Sequence, residues 1–202
     1  MSGGLVVTLD AAAIARLGNQ IGAAGAGAPL ALARALNHTG DKAKTAMTRA
    51  LTAQTGLKRR VIVKALRVNK AGAGALTYTI KSAGGNVGLK YFGARETRAG
   101  VSSAPWNQRS IYPHTFMKAG WWPKRVTKAN WNGHVFERAG SKTQTEHGTK
   151  GRGGMDRFVK AKSGLFIPSE MVTGASATAF NAAVEAYLPA RLEHELGRLM
   201  GG

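Results

Sequence analysis

The spacing of apolar positions changes character along this chain, from helical to alternating and back to helical. Over residues 9–21, Ile14, Leu17 and Ile21 recur at i, i+3 and i+7, which predicts a helix capped by Asp10. Glycine and alanine fill residues 22–28, a hinge. Pro29 suits the first turn of a second helix, where its missing N–H has no partner to lose. Leu32, Leu36, Ala43, Met47, Ala50 and Leu51 share the inner face of that helix. Gly40 predicts a break or kink near residues 39–41, and Gly56 a C-terminal stop. Residues 57–68 alternate poorly and read as a short helix followed by a turn at 69–74.

From residue 76 the period shortens to two. Residues 76–81 (LTYTIK) read as a strand, Gly84 and Gly85 as a turn, and 87–92 as the partner strand of a hairpin. Residues 93–106 read as a loop, 111–119 and 133–138 as two further strands, and 158–168 as a return to the core through Leu165, Phe166 and Ile167. The glycine-rich, basic stretch 140–156 has no apolar period and reads as a flexible loop. Over 176–200 a helical stripe returns with Phe180, Val184, Leu188, Leu192, Leu196 and Leu199, and Pro189 is expected to kink or split it. The order predicts an α+β fold: N-terminal helices, a central antiparallel sheet or barrel-like hairpins with long Gly-rich loops, and a C-terminal helix. One domain over 1–202 is expected, with a helical arm (1–56), a basic β-rich core (57–169) and the C-terminal helix (170–202).

Charge sharpens this picture. Residues 42–70 hold nine bases (Lys42, Lys44, Arg49, Lys58, Arg59, Arg60, Lys64, Arg67, Lys70) and no acid; residues 71–169 add sixteen bases against four acids. The first 41 residues balance, and residues 170–202 carry a net −2, so the formal +19 sits entirely in the middle of the chain. Such asymmetry suits different partners on different faces. The 27 glycines are about twice ordinary usage, and aromatics are only 7%. A modest core completed by neighbouring subunits is expected. With no cysteine, disulfides and thiolate metal sites are excluded and a reducing, cytoplasmic origin is expected. The first nine residues lack the features of a secretory signal, and the Ala/Gly-rich stretch 21–33 is too short to span a bilayer.

Catalytic chemistry has little to work with. The histidines His38, His114, His134, His147 and His194 are scattered, and the middle segment offers only Glu96, Glu137, Glu146 and Asp156 as carboxylates. A nuclease needs two or more acids converging on a metal; no enzyme activity and no cofactor is expected. Residues 148–154 (GTKGRGG) miss the spacing of a phosphate-binding loop. Trp121 and Trp122, followed by Lys124 and Arg125 and with Trp131 shortly after, could stack on unpaired bases. Packing of one ring in the core and of the other at a subunit interface is the simpler account. Lys58, Arg59, Arg60, Lys64 and Arg67 are the best contact candidates for a polyanion, either DNA or an acidic protein. As a helix, this run sets three cations on the first turn, the end that the helix dipole makes positive.

Four stretches carry a family resemblance: QTGLKRRVIVKAL (54–66), KYFGARETRAGVSSAPW (90–106), NGHVFERAG (132–140), and GLFIPSEMV with ATAFNAAVEAYLPARLEHEL (164–172 and 177–196). In order across roughly residues 28–200, the chain resembles the minor tail protein Z family of long-tailed bacteriophages, also called tail completion or neck proteins. The segment 141–156 is longer than the family pattern. The resemblance implies a virion structural protein of the head–tail neck, assembled in the host cytoplasm. It would form a homo-oligomeric ring, hexameric by expectation, between the head-closure protein ring and the tail terminator protein ring. Its β segments would close around the channel that passes double-stranded genomic DNA, with the tape-measure protein as a further partner and no membrane. Arg95, Arg98, Trp121 and Trp122 are expected at interfaces. A free nucleic-acid-binding protein of the nucleoid or ribosome type is the alternative. Duplex DNA presents one charge per ~1.7 Å, so a ring ~30 Å deep faces only ~18 phosphates, against about 54 cations from six copies of the nine-base run. Most of those cations must face solvent, neighbouring rings or the tape-measure protein.

Overall fold

Local patterning accounts for most of the elements. In the computed structural model, residues 2–8, 17–120, 123–142 and 156–201 are described. The strands are β1 (Ser2–Thr8), β2 (Leu66–Asn69), β3 (Thr77–Ala83), β4 (Arg95–Thr97), β5 (Gly100–Ser103), β6 (Ser110–Pro113), β7 (Thr115–Phe116), β8 (Phe136–Lys142) and β9 (Asp156–Lys160). The helices are α1 (Gly18–Ala24), α2 (Ala28–Thr55), α3 (Arg59–Ala65), α4 (Ile167–Met171) and α5 (Gly174–Met200). The class is α+β, and among the described residues the strand pairs are antiparallel. The chain forms two compact units: residues 1–54, 58–85 and 166–202 in one, and residues 55–57 and 86–165 in the other. Residues 58–85, expected within the β-rich core, thus pack with the helices.

In the first unit β3 lies between β1 and β2. Its alternation of buried Tyr78, Ile80 and Ser82 with outward Thr77, Thr79 and Lys81 is the period-two pattern of a strand with one covered face. On the same inner face Gly3 of β1 meets the Pro168 carbonyl so closely that a Cβ would lie 2.4 Å from its oxygen. α2 is one helix of 28 residues, about 42 Å long. The break expected at Gly40 is absent. Glycine stands there because the Tyr78 ring packs against the helix at this point, where a Cβ would lie 2.4 to 2.5 Å from three ring carbons. α2 ends before Gly56, whose φ of 74° is the left-handed conformation that glycine adopts freely. Ala28, Ala31, Leu32 and Ala35 pack with Leu192 and Leu196 of α5, joined by Leu17, Ile21 and Leu188. Pro189 neither splits nor ends α5; it occupies an exposed position, and the carbonyl it leaves unbonded belongs to the exposed Glu185. The predicted helix over 9–21 is described only from Gly18, and Asp10 and Ile14 lie outside the described residues.

In the second unit β4–β5–β6 and β7–β8–β9 form two three-stranded sheets. The hairpin predicted from 76–92 does not form: β3 pairs with β1 and β2 instead. Residues 89–92 make a 3-10 turn that buries Leu89 and Phe92 at i and i+3. Val87 and Leu89 instead hydrogen-bond to Leu165 and Ala161. The expected loop 93–106 contains the β4–β5 hairpin, closed by the Thr97 hydroxyl donating to the Gly100 carbonyl. Leu89, Val101, Val135 and Ala161 form the core of this unit. Glu96 is paired with Arg125, their side chains only 5% and 18% exposed. Of the loop expected at 140–156, residues 140–142 belong to β8 and Asp156 to β9, and 143–155 lie outside the described residues.

Candidate functional site

α3 is a short helix with few reasons of its own to form. Lys58 precedes it with extended backbone angles and no side-chain cap, and no acid occupies its first turn. Ile62 is its one buried residue, and Leu66, just past its end, is buried as the first residue of β2. Anchoring by these two apolar groups turns everything else outward. Lys58, Arg59, Arg60, Lys64 and Arg67 are all exposed, and among the described residues none is ion-paired with a carboxylate. Arg67 bonds only the carbonyls of Lys64 and Leu66.

The strand register adds a member that the sequence reading passed over. Arg67 lies directly opposite Lys81 on β3, both on the outward face. Like charges at opposed positions destabilise a strand pair. The three cations at the start of α3 are likewise set against the dipole. Two independent placements therefore cost the unit stability unless an anion lies against them.

α2 is bonded to β3 and to the segment that follows β2. Asn37 donates to the Ala71 carbonyl and accepts from the Ala71 amide, at 2.9 and 2.8 Å. Asp41 accepts from the buried Tyr78 hydroxyl at 2.8 Å and pairs with Lys70 at 3.1 Å. Partial burial works against ionisation of Asp41, but the bonds from Tyr78 and Lys70, with the Lys70 and Lys44 charges, outweigh it and hold the carboxyl below its ordinary range. Burial, reinforced by the Asp41 carboxylate, pushes the Tyr78 hydroxyl well up. At the far end of α2, Gln54 donates to the Glu170 carboxylate at 2.6 Å and accepts from the Ser176 amide at 3.1 Å.

The remaining candidates do not join this stripe. Arg95 is exposed on β4 and Arg98 at the β4–β5 turn, both in the second unit. Trp121 and Trp122 lie outside the described residues. A shallow depression of about 260 Å³ in the first unit is lined by His38, Ala186, Tyr187, Ala190, Arg191 and His194. Its Arg191 is already committed to the buried Glu195 at 2.5 Å. Among the described residues no three His, Cys, Asp or Glu converge on a metal position, and no helix is long and apolar enough to cross a membrane. Comparison with protein-family models, with curated proteins and with solved structures finds no match to this chain.

Proposed function

We propose that this protein is a structural component of the phage head–tail neck, a ring of like subunits around the channel that carries double-stranded DNA. It acts by assembly and charge complementarity, with no catalytic step. The single observation that carries the electrostatic part is the exposed, acid-free stripe Lys58, Arg59, Arg60, Lys64 and Arg67, with Lys81 beside it. The resemblance of residues 28–200 to tail completion proteins supplies the ring and its neighbours, the head-closure and tail terminator rings. The genome and the tape-measure protein would occupy its bore. Association of like subunits leaves the charge at +19 per copy, so repulsion within a ring must be relieved by something anionic from outside it.

The second reading, a free nucleic-acid-binding protein, draws on the same stripe and differs in affinity for naked duplex. Titration of a duplex at two salt concentrations separates them. A free binder gives tight binding with a steep salt slope; a neck subunit binds naked duplex weakly. In phage particles the quadruple change Lys58→Ser, Arg59→Ser, Arg60→Ser and Lys64→Ser should block head–tail joining or weaken DNA retention. Electron microscopy of particles labelled on this chain should give a signal at the head–tail junction. Normal assembly and infection with all four changes would remove the stripe from the mechanism, and a signal at the tail tip would end the neck reading.

A further inference from the structure

The second unit carries a different basic surface, built on β7–β8–β9, and it contains rings. Phe116 of β7 lies opposite Phe136 of β8, and Phe136 lies opposite Lys160 of β9. One pleat further on, Arg138 lies opposite Phe158. Side chains two apart share a face, so Phe116, Phe136 and Phe158 stand together on one side of this sheet, with Lys160. The neighbouring odd positions Val135 and Ala161 turn the other way, into the core with Leu89 and Val101.

Trp131 completes the cluster. Its ring centroid is 5.0 Å from Phe136, 5.6 Å from Phe158 and 5.9 Å from Phe116, and Phe158 lies 5.1 Å edge-on to Phe136. Only Phe136 is buried; Trp131 and Phe116 are half-buried and Phe158 is 42% exposed. Four rings that pack this well and still leave ring surface in water form a platform more than a core.

The rim of the platform is cationic. The Lys90 ammonium donates to His134 Nε2 at 3.0 Å and to the Asn132 carbonyl at 3.3 Å. Among the described residues Lys90, Lys160 and Lys162 have no carboxylate partner, and Glu137 sits at an odd position, on the side away from the phenylalanines. Burial, with the charges of Lys90, Lys160 and Lys162 added to it, holds the His134 imidazole below its ordinary range.

The geometry points to a binding surface for single-stranded nucleic acid, on which unpaired bases stack on Phe158 and Trp131 while Lys90, Lys160 and Lys162 meet the phosphates. Flat rings beside cations are the recurring arrangement for such strands, because every base offers a π-face and every nucleotide a charge. A duplex keeps its bases stacked on one another and gains nothing from the rings. An acidic protein would satisfy the lysines and leave the platform without a purpose. The inference does not depend on ring assembly or on the α3 stripe, which belongs to the other unit.

The test uses the intact protein and the fluorescence anisotropy of a labelled oligothymidylate of about 12 nucleotides, an abasic strand of equal length, and an oligoglutamate of equal charge. The oligothymidylate should bind about tenfold more tightly than the abasic strand. Phe158→Ala should cut that advantage severalfold, with Trp131 still in place, while leaving the abasic strand unaffected, and Phe158→Tyr, which keeps a ring, should retain it. Lys160→Ser with Lys162→Ser should weaken both strands and reduce the salt slope by about 1.4. Equal binding of the oligothymidylate and the abasic strand, or an unchanged preference in Phe158→Ala, overturns the proposal. So does oligoglutamate binding as tightly with the same dependence on Phe158, which identifies an acidic protein as the occupant.

Discussion

Replacing Gly40 by alanine pits helix propensity against packing, and the structure says which wins. In an exposed helix interior the change stabilises by about 1 kcal/mol, because glycine loses more backbone entropy on folding. Here the added Cβ would stand 2.4 to 2.5 Å from three carbons of the Tyr78 ring. That ring cannot step aside: it is fully buried, and its hydroxyl is tied to Asp41 at 2.8 Å. Overpacking of a well-filled site costs about 1–3 kcal/mol, and a clash with three rigid ring atoms belongs at the upper end. Gly40→Ala should therefore destabilise the first unit by about 2 kcal/mol, seen in urea as a midpoint lowered by roughly 1 M. A double-mutant cycle isolates the cause. Tyr78→Ala alone should cost about 3–5 kcal/mol. In that background Gly40→Ala should stabilise by about 1 kcal/mol, which makes the coupling about 3 kcal/mol. A Gly40→Ala protein as stable as its parent, or the same effect with and without the Tyr78 ring, would refute the reasoning.

Two further outcomes follow from buried and half-buried charges. Glu96→Gln leaves Arg125 almost enclosed without its counter-charge and should destabilise by about 3–5 kcal/mol, whereas Glu96→Leu with Arg125→Met should recover most of the loss in thermal unfolding; equal losses for both would show that the pair itself contributes little. Asp41 has a folded pKa below its unfolded value, so its contribution is present above pH ~4 and fades as pH falls through the folded value. Tyr78 has a folded pKa above its unfolded value, so its contribution is present below pH ~10 and fades as pH rises beyond it. Asp41→Asn should flatten the acid limb of stability against pH and Tyr78→Phe the alkaline limb, each modestly because Asp41 is half-exposed; an unchanged acid limb in Asp41→Asn removes that group from the account.

The two long helices were legible in the sequence because their signals are local, whereas α4 was not foreseen and residues 22–24 of α1 were read as a hinge. The stripe of α2 from Leu32 to Leu51, the stop at Gly56 and the stripe of α5 each need only neighbours three or four residues away. What failed was what distant residues decide. Gly40 read as a breaker because the ring that requires it lies 38 positions along the chain. The strand after Gly85 was expected to pair backwards, yet the chain leaves the first unit after Gly85, and Val87 of the second unit bonds to Leu165. β4 carries little apolar signal, contributing the polar Arg95, Glu96 and Thr97, while β1, with Leu5, Val6 and Val7, lies where a helical arm over 1–56 was expected. Of the candidate contacts, the five bases from Lys58 to Arg67 could be named from charge alone, but Lys81 enters only through strand register. The aromatic platform did leave a trace: F-x-R at 136–138 and F-x-K at 158–160 each set one ring and one base on a single strand face. Pairing the two segments needed the sheet.

The way acids are spent shows which bases remain available. Glu96 goes to Arg125, Glu195 to Arg191 and Arg198, and Asp41 to Lys70 and the Tyr78 hydroxyl. Three of the ten acids are thereby drawn into contacts that hold the two units together internally. These pairs take four bases with three acids, so the bases left outside reflect the 29 Lys and Arg against 10 Asp and Glu of the sequence, and they lie in two distinct settings. In the first unit, cations crowd a short helix and an opposed strand pair with no ring among them, which suits phosphates read as charge alone. In the second, cations border four rings, which suits bases as well. Under the two proposals the same excess of charge would support two chemically different contacts, and the test of each is whether the anion that binds there has its bases paired or free.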